Sequence, residues 1–250
     1  MPATVQLCGR YVVELDGERC EARLPGRQGR LLFGYLVLNR DRGVNRDELV
    51  EAVWPRELPR DPFDALAALL SKLRAVTGDD YLPSRGEVQL LLPPDARVDV
   101  ERALTALHGA ESACALEDWP RAWSTSLSAL AVARRTLLGE LEAPWIDEWR
   151  ARLDETLVRA LECYAKACLG LGGTELAGAE RAARQLVAAA PLRESAAALL
   201  MRTLEEQGNA AEALLVYESL RQRLRDHVGA TPGEALQAAY RRLLSTTATG

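Results

Sequence analysis

The chain has 250 residues, 48% hydrophobic and 27% charged, with 31 basic and 36 acidic side chains and a net charge of −5. That length supports two ordinary domains with their own cores, and the composition excludes disordered and fibrous classes. No apolar run reaches the roughly 18 residues of a membrane span, and the opening MPATVQLCGRY lacks the basic and apolar blocks of a secretion signal, so a cytoplasmic protein is expected.

Residues 4–24 alternate as strands do. Val5–Leu7 and Tyr11–Leu15 are joined to Arg19–Leu24 by Asp16–Gly17, a hairpin turn pair. Gln28–Asn39 has helical spacing, with Leu31, Leu32, Tyr35, Leu36 and Leu38 on or beside one side. Arg46–Trp54 follows as a shorter helix, with Asn45 as N-cap and Glu48 three residues on. The charged loop Pro55–Arg60 leads to Asp61, read as the cap of a helix over Pro62–Thr77 with Pro62 in its first position. In that helix Phe63, Leu66, Leu69, Leu70, Leu73 and Val76 make one apolar stripe. Arg85–Gly86 then separates Tyr81–Pro83 from Val88–Leu92 as a second hairpin, and Pro93–Pro94 marks a boundary. Helix, loop, helix and hairpin is the order of a winged helix-turn-helix, whose second helix enters the major groove. A small α+β domain with no DNA role gives the same stripe, because periodicity reports only burial.

Beyond the boundary, strand patterns give way to helices. They are expected over 100–115, 119–138, 145–171, 174–190, 193–207, 210–228 and 234–244. Gly208–Tyr217 (GNAAEALLVY) has the small-residue and aromatic spacing of a tetratricopeptide unit. Gly229 should stop one helix, with Thr231 and Pro232 starting the next.

Charge argues against bulk attraction to nucleic acid, since residues 1–93 carry 13 basic and 14 acidic side chains. Any DNA affinity must come from local placement. Opposite its apolar stripe, the Pro62–Thr77 helix presents Asp64, Ala67, Ala68, Ser71 and Ala75, flanked by Lys72 and Arg74. Candidate backbone contacts fall at helix starts and at the second hairpin: Arg27, Gln28, Arg30, Asn45, Arg46 and Arg85.

Enzyme constellations are missing from the sequence. His108 and His227 lie outside any HExxH pattern, and Gly170–Gly173 (GLGG) lacks the lysine of a phosphate loop, so no catalytic residue, metal or cofactor is expected. The five cysteines, Cys8, Cys20, Cys114, Cys163 and Cys168, show no CxxC spacing and are expected to stay free thiols. Cys163 and Cys168 are read as buried packing on different faces of one helix.

Two stretches, RQGRLLFGYLVLNRDRGVNRDELVEAVWP (27–55) and ALLSKLRAVTG (68–78), continue into YLPSRGEVQLLL (81–92). Together they resemble the OmpR-type winged helix, and more closely the DNA-binding half of the Streptomyces antibiotic regulatory protein (SARP) type of regulator. VDVERALTAL (98–107), APWIDEWRARLDE (143–155) and the block Pro191–Leu244 resemble the bacterial transcriptional activator domain (BTAD) that follows the winged helix in those regulators. The resemblance implies an α+β winged helix-turn-helix over 1–93, followed by an all-α, TPR-like helical-hairpin array over 94–250. It further implies a regulator that binds double-stranded promoter DNA as a homodimer on repeated half-sites. Arg56, Glu57 and Arg60 of the Pro55–Arg60 loop would touch RNA polymerase. The chain departs from the family at the reading face of the second helix, where longer polar groups are usual and alanines stand here. A second reading therefore stays open, in which the helical array binds a protein or an anionic small-molecule effector such as a nucleotide. Arg134, Arg135, Arg150, Arg152, Arg181 and Arg184 are the candidate effector contacts, with salt bridges to the abundant glutamates as the alternative use.

Overall fold

The computed structural model describes residues 3–84 and 87–247. It is mostly helical, with one small sheet formed near the N-terminus. Strands β1 (Thr4–Gln6) and β2 (Val12–Leu15) pair antiparallel, Val5 opposite Val13. Asp16 and Gly17 both take positive φ, 52° and 82°. A two-residue hairpin needs that left-handed pair to match the twist of its strands. The next strand, β3, is only Glu18–Arg19, not the expected Arg19–Leu24. The Glu21 carboxylate accepts from the Val13 N–H at 3.3 Å, so a side chain ends the ladder and the backbone coils into a 3-10 turn at Glu21–Arg23. The fourth strand, β4 (Arg97–Val98), lies parallel to β1 and completes the order β3-β2-β1-β4.

Helices α1 (Gly26–Leu38), α2 (Arg46–Val53) and α3 (Pro62–Thr77) pack pairwise. Leu31, Leu32, Leu36, Leu49, Leu66 and Leu70 are fully buried in the core they share with the sheet. Asn45 caps α2 as expected, its Oδ1 accepting from the Glu48 N–H at 2.8 Å. Asp61 makes no such bond to α3. Pro62, in the first turn, brings no N–H of its own to be satisfied.

The helical run continues with α4 (Asp99–Ala115), α5 (Trp119–Ala133), α6 (Pro144–Leu171), α7 (Leu176–Ala189), α8 (Glu194–Glu206), α9 (Ala210–Val228) and α10 (Glu234–Thr247). Its spans match the periodicity closely, except that α5 stops at Ala133 rather than Leu138. Residues 136–138 bridge instead to the segment that follows β1: the Gly9 N–H donates to Thr136 O and the Leu138 N–H to Leu7 O, each at 2.9 Å. Gly229, left-handed at φ 66°, ends α9 as expected. The next helix starts at Glu234, as its span predicts, so Thr231 and Pro232 lie ahead of it rather than at its cap and first turn, and the Gly233 N–H donates to the Glu194 carboxylate at 2.8 Å.

By packing, the chain divides into two compact units, neither a single run of sequence: Met1–Ala103 with Val132–Asp154, and Leu104–Ala131 with Glu155–Gly250. The proline pair 93–94 lies inside the first. In the second unit α7 packs on α8, α8 on α9 and α9 on α10. Ala213 is fully buried there, and Tyr217 stacks on Tyr240 with ring centroids 4.1 Å apart. Among the described residues no helix is long and apolar enough to cross a membrane.

Candidate nucleic-acid interface

Leu66, Leu69, Leu70, Leu73 and Thr77 turn α3 inward, leaving Asp64, Ala67, Ala68, Ser71, Lys72 and Ala75 exposed on the other side. Phe63, expected on the buried stripe, is 50% exposed and stands at the start of this open face. Three alanines and a serine keep the face low, so a second surface can come close to the helix backbone. The only cation on it is Lys72, which has no ion pair among the described residues. Arg46, at the start of α2, is likewise exposed and unpaired. Asn45 commits its side-chain oxygen to capping α2, which leaves its amide nitrogen outward.

Arg74 does not join that face. It is half-buried, and its Nε donates to Leu82 O at 3.1 Å, holding the segment that leaves α3. Tyr81, buried in the same segment, donates its hydroxyl to Asp16 Oδ1 at 2.8 Å. Among the described residues the expected second hairpin shows no strand ladder. Tyr81 O accepts from the Leu91 N–H at 2.8 Å, whereas Val88 pairs with Val44, just ahead of α2. Val88 is thus drawn to the buried edge beside α2, which alternation alone cannot anticipate. Arg85, expected at the tip, lies outside the described residues.

Three further candidate contacts are engaged by the acidic segment before α6. The Arg27 Nη2 donates to Glu142 O at 3.1 Å, Arg30 pairs with Glu140 at 3.7 Å, and Arg56 with Glu142 at 3.2 Å. Such exposed pairs are worth about 0–1 kcal/mol, weak enough for a phosphate to replace them. Gln28 is half-buried beside them. Glu57 and Arg60 are exposed on the α2–α3 loop. That loop forms one wall of a cleft of about 630 Å³ lined by Trp54, Leu58, Trp145 and the acids Glu48, Glu51 and Glu148. The Trp145 Nε1 donates to Ala52 O at 3.0 Å across the floor. The Arg42 guanidinium beside Glu48 holds that carboxyl below the usual range.

The six arginines proposed for an effector divide between the two units. Arg134, Arg135, Arg150 and Arg152 belong to the first unit, and Arg181 and Arg184 to the second. Arg150 is a structural clamp: its guanidinium donates to the carbonyls of Leu137, Leu138 and Leu141 at 3.0–3.2 Å and pairs with Asp147. Arg152 lies 4.9 Å above the Trp149 ring, and Arg135 rests against Gly9. Arg134 and Arg181 are exposed. Arg184 bridges Glu180 and Glu212 and lines an open groove of about 480 Å³, with Arg193, Arg223, Leu215 and Leu220. Sequence reasoning missed Arg193 and Arg223, which the α7–α8 turn and α9 carry to this groove.

A model of the bacterial transcriptional activator domain matches residues 98–244. The regulatory protein AfsR of Streptomyces coelicolor is 32% identical over 230 residues, covering 92% of this chain and 23% of that protein. The transcriptional regulator RedD of the same organism is 28% identical over 243 residues, covering 93% of this chain and 68% of RedD. Among solved structures, Mycobacterium tuberculosis EmbR in complex with a low-affinity phosphopeptide has the same fold. Its TM-score is 0.84 at 22% identity, over 98% of this chain and 65% of that one. The chain spans less than a quarter of the length of the AfsR relatives.

Proposed function

The chain belongs to the bacterial transcriptional activator domain family, a family of transcription regulators and not of enzymes, and on that premise we propose that it binds promoter DNA through α3. The observation that carries this reading is the exposed face of α3. It is low, stands on a helix trio and carries Lys72, with Arg46 exposed at the start of α2; neither cation has an ion pair among the described residues. In the arrangement of a winged helix-turn-helix, α3 lies in the major groove and Arg46 and Lys72 meet phosphates. Arg27 and Arg30 exchange their weak surface pairs for phosphates as well. Ala67 and Ala68 can touch thymine methyl groups, and Ser71 a base edge or phosphate. The α2–α3 loop, with Arg56, Glu57 and Arg60 beside its acidic cleft, is the surface offered to RNA polymerase. The second unit, a TPR-like array, serves dimerisation, polymerase contact or effector sensing.

A second reading is favoured by the groove that Arg184, Arg193 and Arg223 line: the helical array binds an anionic ligand or an acidic protein segment, and DNA reading is weak.

Fluorescence anisotropy of the full chain on a random-sequence duplex at several salt concentrations tests the first reading. Each cation that neutralises a phosphate contributes about 0.9 to the slope of log affinity against log salt. Lys72→Ala should therefore flatten the slope by about one unit and weaken all duplexes nearly alike. An unchanged slope would remove Lys72, and with it this orientation of α3, from the interface.

A further inference from the structure

Of the five cysteines, Cys8, Cys20, Cys163 and Cys168 are buried, while Cys114 is half-buried. Cys114 sits near the end of α4 and Cys163 in the middle of α6, 49 positions apart in sequence. In the folded chain the Cys114 thiol donates to the Cys163 carbonyl oxygen at 3.7 Å, which sets the two residues side by side. Small side chains make this approach possible. Ala113 on α4, Ala122 on α5 and Ala167 on α6 are buried together, with Cys114 packed against them. A disulfide needs its two Cα atoms about 4.4–6.8 Å apart, and small neighbours on the facing helices favour such an approach.

Cys114 reaches solvent while Cys163 stays buried. They line a cleft of about 610 Å³ with Arg159, Lys166 and Arg193, so a small oxidant has access to Cys114. The cations are partly balanced, Arg159 by Glu111 and Lys166 by Glu162 at 2.8 Å.

We propose that Cys114 and Cys163 form an oxidant-reactive thiol pair, in which a hydroperoxide oxidises Cys114 and Cys163 resolves it as a disulfide joining α4 to α6. In the first step the Cys114 thiolate attacks one oxygen of the peroxide, the O–O bond breaks, and the departing oxygen leaves as water or alcohol with a proton. Cys114 is then a sulfenic acid, oxidised by two electrons, and the peroxide is reduced by two. In the second step the Cys163 sulfur attacks the Cys114 sulfur. The S–S bond forms, the S–OH bond breaks, and hydroxide leaves as water with the Cys163 proton. Two thiols and one hydroperoxide give one disulfide, one water and one further water or alcohol.

The electrostatics assign the order of the two sulfurs. Cys114 is the more exposed of the two, and the neighbouring Cys163 side chain with the Lys166 ammonium holds it below the ordinary thiol range. The Cys114 side chain beside it, together with burial, raises Cys163. Burial also raises Cys8 and Cys20, and pushes Cys168 up to about 11. The reactive form of cysteine is the thiolate, so oxidation should begin at Cys114 and spare the other three.

The test is peptide mapping of the full chain after treatment with hydrogen peroxide, with free thiols counted. The expected result is loss of two thiols of the five per chain, recovered as a Cys114–Cys163 cross-linked peptide that a reductant reverses. Before oxidation, Cys114 should alkylate faster than any other thiol at neutral pH, because it alone is both accessible and held toward the thiolate. Cys163→Ser should accumulate a sulfenic acid at Cys114 that dimedone traps, and Cys114→Ser should give neither product. A chain in which Cys114 goes on to the sulfinic acid with Cys163 still free, or in which the thiols oxidise without preference, would overturn the proposal. The mapping on the unsubstituted chain decides this even where a variant folds poorly.

Discussion

Replacement of Asp99 with alanine is expected to lower the unfolding free energy of the first unit by about 3–5 kcal/mol, the sum of two or three buried donors left unpaired. Asp99 opens α4, and its carboxylate reaches back to the end of β1. It accepts from the Leu7 N–H at 3.0 Å, the Cys8 N–H at 2.8 Å and the Val100 N–H at 2.9 Å. Leu7 and Cys8 are fully buried, so alanine leaves their donors with neither side chain nor water. Burial raises the Asp99 pKa above the ordinary carboxylate range, although its three N–H partners pull the other way. The native state therefore holds this proton more tightly than the unfolded chain does. The group's contribution is fully present below the ordinary Asp range and is lost as pH rises through its native value. Asp99→Asn should abolish that pH dependence and, keeping one acceptor oxygen, fall between the native chain and the alanine variant. Hydrogen exchange of the β1 amides under increasing denaturant, at acid and neutral pH, reads both effects. Alanine and native chains with equal protection would contradict the role given to Asp99.

Arg150→Ala should cost the same unit about 2–4 kcal/mol, because charge-assisted bonds to three carbonyls disappear together. Those carbonyls belong to Leu137, Leu138 and Leu141, whose side chains are buried, and Leu138 is held at a positive φ of 44°. Without the clamp, residues 137–141 lose both their partners and the restraint on that strained turn. Arg150→Lys should restore little, since an ammonium cannot fork toward three oxygens as a guanidinium does. Protection of the 136–141 amides measures this. A variant with native protection would return Arg150 to the pool of arginines free to hold an anionic effector.

Both residues show where the sequence is mute. Periodicity reports which side chains are buried, and it placed α1–α4 and α6–α9 to within about two residues, inside the usual uncertainty of element boundaries. Local chemistry was equally legible: Asp16–Gly17 turns, Asn45 caps and Gly229 stops a helix, all through bonds to residues nearby. What stayed hidden depends on partners far along the chain. β3 is cut short by a glutamate side chain, α5 gives up residues 136–138 to a bridge with the segment after β1, and Val88 pairs with Val44. The arginines illustrate the same limit of pattern reading. Nothing in composition distinguishes Arg150, spent on three carbonyls, from Arg46, which faces solvent unpaired. The face of α3 was readable because helix geometry alone puts Ala67, Ala68, Ser71 and Lys72 opposite the leucines, whereas the exposure of Phe63 depends on what lies beyond the first turn.

The claim that α3 reads DNA is tested most directly by selection from a pool of random-sequence duplexes, carried out at low salt with the full chain and with Ala68→Gln. The native chain should converge on a motif. Ala68→Gln should change that motif at the base pairs facing residue 68 while leaving the rest, because glutamine adds a paired donor and acceptor that favour adenine in the major groove. An identical motif from both chains would take the face of α3 off the DNA, and failure of the native chain to retain any duplex would contradict the DNA-binding function itself.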